Sequence, residues 1–208
     1  EIFARQVLVD CLQARAVVVG ADSHFGKGRR GNVETLGAVG EEFGYEVIGL
    51  PLVKHLTGEG EVISSTSIRA ALSDGDVEKA HRLLGRPFEV RGVVTPGDRR
   101  GRTIGFPTAN IPTTSDLQVP ADGVYAAWYI REDGKQYPAA VNIGKRPTFY
   151  DDADRSLIEA HLLGFRGDLY GESAKVRFVR RLRGERKFEG VEALKEQLVK
   201  DVADASKC

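Results

Sequence analysis

The hydrophobic pattern changes its period partway along the chain. Up to about Arg86 apolar residues come in continuous runs or in helical steps of three and four. From Pro87 onward they alternate in short stretches. The opening "EIFARQVLVDCLQA" predicts a helix with Ile2, Val7, Leu8 and Leu12 as its apolar stripe. "RAVVVGAD" predicts a buried strand of a parallel sheet. "GNVETLGAVGEEFGYEVIGLPLV" predicts a helix stopped at Gly44 and a second apolar strand. "STSIRAALSDGDVEKAHRLLG" predicts two short helices broken at Asp74-Gly75. This order is that of a Rossmann-like α/β layer. Two parallel strands are too few for a stable open sheet, so the expectation is that further strands precede Glu1. A small self-contained α/β unit is the alternative.

The second half predicts a different architecture. "FEVRGVV", "GVYAAWYIRE", "QYPAAVNIG", "SLIEAHLL" and "KVRFVRRLR" are short alternating runs separated by turn signals such as Asp133-Gly134. Val124, Ala126, Trp128 and Ile130 share one face of the second run. Strands at this spacing predict a closed or nearly closed antiparallel barrel. "GVEALKEQLVKDVADAS" predicts a terminal helix with Val191, Leu194, Leu198 and Val202 as its stripe. The fold class is therefore α/β plus β, with a first domain over residues 1–86 and a second over 87–208.

Composition narrows the function. Across 208 residues the formal net charge is zero, which argues against a nucleic-acid binder that depends on a basic surplus. No apolar run is long enough to span a membrane. Cys11 and Cys208 lie at opposite ends with no metal-like spacing, which suits a reducing cytoplasm. There is no methionine, and the first helix is already under way at Glu1, so the chain reads as the end of something longer.

Candidate chemistry gathers in a few loops. "GADSHFGKGRRGN" follows the first strand's carboxyl end, where open α/β sheets bind ligands. "SSTSIR" sets hydroxyls at a helix start with Arg69 one turn in, suited either to a phosphate or to plain N-capping by Ser65 or Thr66. "GDRRGRTIGFPTAN" combines Gly97 and Gly101, which permit close approach, with Arg99, Arg100 and Arg102, which neutralise phosphates. Pro107 fixes the backbone beside Thr108, whose hydroxyl suits Mg²⁺, and Asn110 offers a donor and an acceptor. A basic surface loop ending in a proline turn is the structural alternative. In "LIEAHLL", Ile158, Ala160 and Leu162 alternate with Glu159, His161 and Leu163, so Glu159 points away from the core or into a barrel mouth. A carboxylate there suits a general base for a phosphorus-attacking hydroxyl; a solvated strand residue is the plain alternative.

Taken in order, "GRTIGFPTAN", "PADGVYAAW", "VNIGKRPTF", "IEAHLL", "GDLYG" and "KFEGVEALKEQLVKD" resemble the riboflavin kinase domain. "VVVGADSHFGKGRRGN" and "ISSTSIR" resemble the later part of an FMN adenylyltransferase domain. The whole chain thus resembles the family of prokaryotic bifunctional riboflavin kinase/FMN adenylyltransferases, or FAD synthetases. The resemblance implies a partial nucleotidyltransferase layer followed by a riboflavin-kinase-type barrel. It implies that Glu159 is the catalytic base, that Thr108 and Asn110 sit at the Mg-ATP site with Asn110 also near the flavin, and that Gly97 to Arg102 closes over ATP. "KRPTF", Lys145 to Phe149, would be a second flap. Ser65, Thr66 and Arg69 would face ATP phosphates, with Phe25 and Asn32 near the flavin. The family's histidine-x-glycine-histidine motif is not among these residues, and Ser23 stands where the family more often has an aromatic.

The expected function is a cytoplasmic riboflavin kinase that uses Mg²⁺ and converts riboflavin and ATP into FMN and ADP, with little FAD made. The partners are small molecules only, without nucleic acid or membrane; the sequence leaves the oligomeric state open. A fully bifunctional enzyme and a non-catalytic flavin- or nucleotide-binding module are the alternatives.

Overall fold

The computed structural model describes residues 2–53, 62–114, 116–145 and 156–207. It divides into two compact units, Glu1–Ile63 and Ser64–Cys208. Arg86 marks the change from helical to strand texture in the sequence, but the packing boundary falls earlier. The helices that precede Arg86 contribute Ala71, Leu72, Val77 and Ala80 to the same apolar core as the barrel strands.

In the first unit β1 (Ala16–Gly20) and β2 (Glu46–Leu50) pair in parallel, with Val18 opposite Ile48. Between them runs α1 (Val33–Phe43). Asn32 caps its start, and Gly44 ends it in the left-handed region at φ 78°, where a side chain would be strained. Leu36, Val39, Tyr45 and Ala4 form the buried core, with Val17, Val19 and Val47 against it. Val18 and Ile48 point the other way and remain exposed within this unit, so the strands alternate where burial on both faces was expected.

The opening helix also departs from expectation. Ala4–Cys11 is π-helical, with Leu12 N–H bonded to the Val7 carbonyl five residues back at 2.9 Å. The wider turn brings Ala4, Leu8 and Val9 to the core. Ile2, Val7 and Leu12, three members of the predicted stripe, are exposed instead.

The second unit is a curled antiparallel sheet. Its strands are β3 (Glu89–Val93), β4 (Ala109–Pro112), β5 (Gly123–Ile130), β6 (Gln136–Lys145), β7 (Ser156–Leu162) and β8 (Ser173–Arg183). They lie in the order β3-β8-β5-β6-β7-β4. Just past β3, Thr95 bridges to Asn110 of β4 through a 2.8 Å backbone bond, so the two edges meet and the sheet nearly closes. Five strands match the alternating runs. β4 is the addition: four residues ending in proline give too little pattern to read as a strand.

Alternation sorts the residues onto two faces. Tyr125, Ala127, Tyr129, Val141, Ile143, Ile158, Ala160 and Phe178 fill the interior. The opposite face of β5 and β6 carries Val124, Ala126 and Ala140. There α5 (Val191–Ala205) packs with Val202 and Ala205, the small alanines admitting its backbone closely. Of the predicted α5 stripe, Val191 is exposed in the first turn, and Asp201 joins the buried side instead. The helices α2 (Ser65–Ser73) and α3 (Val77–Leu84) are joined at Asp74-Gly75, as the sequence predicts. Arg181 of β8 ties this junction down by donating to the carbonyls of Asp74 and Asp122 at 3.0 and 2.8 Å. A single helical turn, α4 (Arg100–Thr103), stands within the basic segment read as a loop.

Candidate active site

Strand register builds the site. Across the face that looks toward α5, Asn110 on β4 lies opposite Glu159 on β7, and Glu159 lies opposite Asn142 on β6. Asn142 in turn lies opposite Val124 on β5, which faces Arg183 on β8. One row of the sheet therefore carries a carboxamide, a carboxylate, a second carboxamide, a valine and a guanidinium. All five residues line one cavity of about 500 Å³, a volume suited to a small organic substrate.

The rest of the cavity comes from three elements. The segment around α4 supplies Arg99, Arg100 and Gly101, followed by Phe106 and Thr108. The end of β8 and the loop beyond it supply Glu185, Arg186 and Phe188. Leu194, Leu198 and Val202 of α5 close the apolar side. The cavity is thus basic at one wall, apolar and aromatic at another, with Glu159 in its floor.

The hydrogen bonds are specific. Asn142 Nδ2 donates to Glu159 Oε2 at 3.5 Å. Asn110 Nδ2 donates to the Thr108 carbonyl at 3.5 Å, and the Thr108 hydroxyl takes no part. His161 is occupied elsewhere: Nδ1 is 2.8 Å from the Pro107 carbonyl, and its ring meets Phe106 edge-on. On the α5 side Arg183 holds the buried Asp201 through two nitrogens. Asp201 also accepts from Gln197 Nε2 at 2.7 Å, and Arg186 donates to the Gln197 carbonyl oxygen. Both Arg183 and Arg186 lie over the Phe188 ring.

Of the predicted residues, Arg99, Gly101, Thr108, Asn110 and Glu159 come together in this cavity. Gly97 and Arg102 are not in its lining. Gly97 serves the site indirectly: a Cβ there would stand 2.5 Å from Asn110 Nδ2, so the glycine makes room for that carboxamide. At Gly101 a Cβ would stand 2.3 Å from the Phe106 carbonyl oxygen. Arg99 is held at φ 59° with its guanidinium over Tyr170. Arg146 to Phe149 of the expected second flap lie outside the described residues.

Ser65, Thr66 and Arg69 are exposed on the first turns of α2 and line no part of the cavity. The N-cap is Ser64, in a capping box with Ser67, rather than Ser65 or Thr66. Phe25 and Asn32 belong to the first unit. Phe25 packs on Gly31 and Phe3, while Asn32 Oδ1 accepts from the Thr35 N–H and hydroxyl.

Asn142, Arg183, Glu185, Phe188 and Asp201 line the cavity without being among the predicted residues. A signal existed for Asn142, which interrupts the apolar run of β6 on the non-core face. Asp201 falls between the apolar positions of α5 and had no such signal.

Residues 84–208 match the riboflavin kinase family, and the chain belongs to it. Residues 1–67 match the FAD synthetase family. Among curated relatives, the bifunctional riboflavin kinase/FMN adenylyltransferase of Bacillus subtilis is 40% identical over 195 residues, covering 93% of this chain and 60% of the relative. The protein of the same description from Haemophilus influenzae is 38% identical over 205 residues, covering 99% and 65%. A solved structure described as a macrolide-efflux protein from Streptococcus pneumoniae superposes with a TM-score of 0.79 at 35% identity, covering 99% of this chain and 64% of that one. The chain spans about three fifths of the length of the curated relatives it matches.

Proposed function

We propose that the second unit is a riboflavin kinase acting in the cytoplasm, transferring the γ-phosphoryl group of ATP to the terminal ribityl hydroxyl of riboflavin. The observation that carries this reading is Glu159, set between Asn110 and Asn142 in a cavity that Thr108 and Arg99 also line. The hydroxyl oxygen attacks the γ-phosphorus as its proton passes to the Glu159 carboxylate. The bond from phosphorus to the β,γ-bridging oxygen breaks, and ADP leaves. Holding hydroxyl, base and phosphorus together supplies much of the acceleration.

The donor set fits Mg²⁺. Thr108 and Asn110 offer hard oxygen atoms, and among the described residues no cluster of His, Cys, Asp or Glu could hold a metal alone. That is the expected pattern for an ion that keeps water and substrate phosphates as its other ligands. Thr108 and Asn110 would hold the ion, which supplies charge neutralisation at the β- and γ-phosphates. Arg99 and Arg100 would neutralise further phosphate charge, with Gly97 to Arg102 as the covering segment. Phe188, Phe106 and the leucines of α5 supply apolar surface for a ring system.

Residues 1–86 are proposed as part of an FMN adenylyltransferase half, with Ser65, Thr66 and Arg69 toward ATP and Phe25 and Asn32 toward the flavin. The match of residues 1–67 to the FAD synthetase family favours keeping this second activity in view. The test is to incubate the chain with riboflavin, ATP and Mg²⁺ and resolve FMN from FAD. FMN with ADP is the expected product pair. FAD with pyrophosphate would establish the second activity, and flavin binding without either product would establish a non-catalytic module.

A further inference from the structure

Glu159 has a carboxamide on each side, but the two are not equivalent. Asn110 commits its amide to the Thr108 carbonyl, and its side chain is packed against Gly97. Asn142 commits its amide to Glu159 Oε2. His161, two residues along the same face of β7, is bonded to the Pro107 carbonyl and makes no bond to Glu159. Among the described residues, Asn142 is therefore the one side-chain donor on this carboxylate.

Asn142 is itself well fixed. Val141 and Ile143 on either side are fully buried, so β6 cannot rotate its carboxamide off the cavity face without exposing them. Gly144, the next residue on that face, keeps the space clear. A Cβ there would stand 3.5 Å from Asn142 Nδ2 and 2.5 Å from Glu185 Oε1.

We propose that Asn142 is a positioning residue for the phosphoryl transfer. Its N–H donor holds Oε2, leaving Oε1 as the oxygen that receives the substrate proton. This inference rests on the reading of Glu159 as the base. The other charged groups facing this cavity are His161 on β7, Arg183, Glu185 and Arg186 at the end of β8, Asp201 on α5, and Asp98 to Arg100 at α4. Of the carboxylates among them, Asp201 is neutralised by Arg183, and Asp98 lies 3.6 Å from Arg100.

The experiment compares Asn142→Ala and Asn142→Asp with Glu159→Gln, using riboflavin and Mg-ATP. Flavin fluorescence titration and thermal unfolding check that each variant is folded and binds riboflavin. Asn142→Ala is expected to lower kcat about tenfold or more, as loss of a bond to a charged group implies, with KM for riboflavin within about twofold. Asn142→Asp removes the donor without shortening the side chain and is expected to lower kcat at least as much, again with KM for riboflavin within about twofold. If Glu159→Gln is inactive while both Asn142 variants keep the kcat of the unmodified chain, Asn142 has no positioning role and the base assignment stands. If Glu159→Gln turns over normally, the base assignment fails and takes this inference with it. If only Asn142→Ala folds, a kcat within about twofold of the unmodified chain, or a loss carried by KM rather than kcat, overturns the proposal.

Discussion

Arg183 grips Asp201 with two nitrogens, Nη2 to Oδ2 at 2.8 Å and Nε to Oδ1 at 3.1 Å, and so fixes α5 against the end of β8. Asp201 is 3% exposed. Both residues line the cavity, so the bond sets the position of one wall as well as the stability of the helix. Replacing Arg183 by Met leaves a buried carboxylate without its cation and is expected to cost about 3 kcal/mol or more. The double change Arg183→Met with Asp201→Leu should recover much of that loss, because an apolar pair of similar volume carries no stranded charge. Chemical denaturation of both variants beside the unmodified chain measures this. Equal stability of the single and double variants would show that the pair does not hold the helix.

Glu159→Gln is expected to keep the fold and riboflavin binding while lowering kcat by about 10²- to 10⁴-fold. The change keeps the shape and removes the proton acceptor. Steady-state rates beside a flavin titration separate the two effects, and near-full turnover would remove Glu159 from the chemistry.

Thr108→Val preserves the β-branched shape and removes the oxygen proposed for Mg²⁺. The Mg²⁺ concentration for half-maximal activity should rise by about tenfold, with little change in thermal stability. An unchanged Mg²⁺ titration at normal activity would return "GFPTAN" to the role of a turn leading into β4.

Glu89 gives a pH prediction. Burial raises its carboxyl pKa, but hydrogen bonds and charge from Arg91 and Arg177 together outweigh burial and hold it below its ordinary value. The folded state thus binds this proton less readily than the unfolded chain. The contribution is fully present above the unfolded value and fades as pH falls through the lower, folded one. Glu89→Gln should cost about 1 kcal/mol near neutral pH, and the difference should vanish in strong acid. Denaturation at several pH values reads this directly, and a pH-independent difference would contradict it.

Tyr129 sits in the barrel interior with its hydroxyl unpaired among the described residues, and burial pushes that hydroxyl's pKa well up. Tyr129→Phe removes a buried donor without changing the ring. The expected result is a gain of about 1 kcal/mol and a melting temperature a few degrees higher. A loss of stability would mean that the hydroxyl has a partner the protein needs.

Local patterning carried much of the fold. The period-two runs located β3, β5, β6, β7 and β8, because each buries alternate residues against one interior. Gly44 and Asp74-Gly75 marked real helix ends, since a left-handed residue or a break is a local property. β4 stayed hidden because its strand character comes from pairing with β7, not from its own four residues. The π-helical opening and the inclusion of α2 and α3 in the barrel core also depend on partners distant in sequence.

The site divides along the same line. The residues proposed to carry the chemistry stood out locally: Glu159 on a strand's polar face, Thr108 and Asn110 after a basic turn. What they face did not, since a strand's neighbours are chosen by register. The row from Asn110 through Glu159 and Asn142 to Arg183 joins β4, β7, β6, β5 and β8, residues up to 73 positions apart. Only the closing of the sheet sets these side chains at one level. Only the packing of α5 against Ala126 and Ala140 turns that row into a cavity. By itself the sequence determined which residues are candidates for chemistry and which face of each strand they occupy. The tertiary structure decided which of them meet, because hydrogen-bonded register and helix docking are properties of paired elements rather than of any one segment.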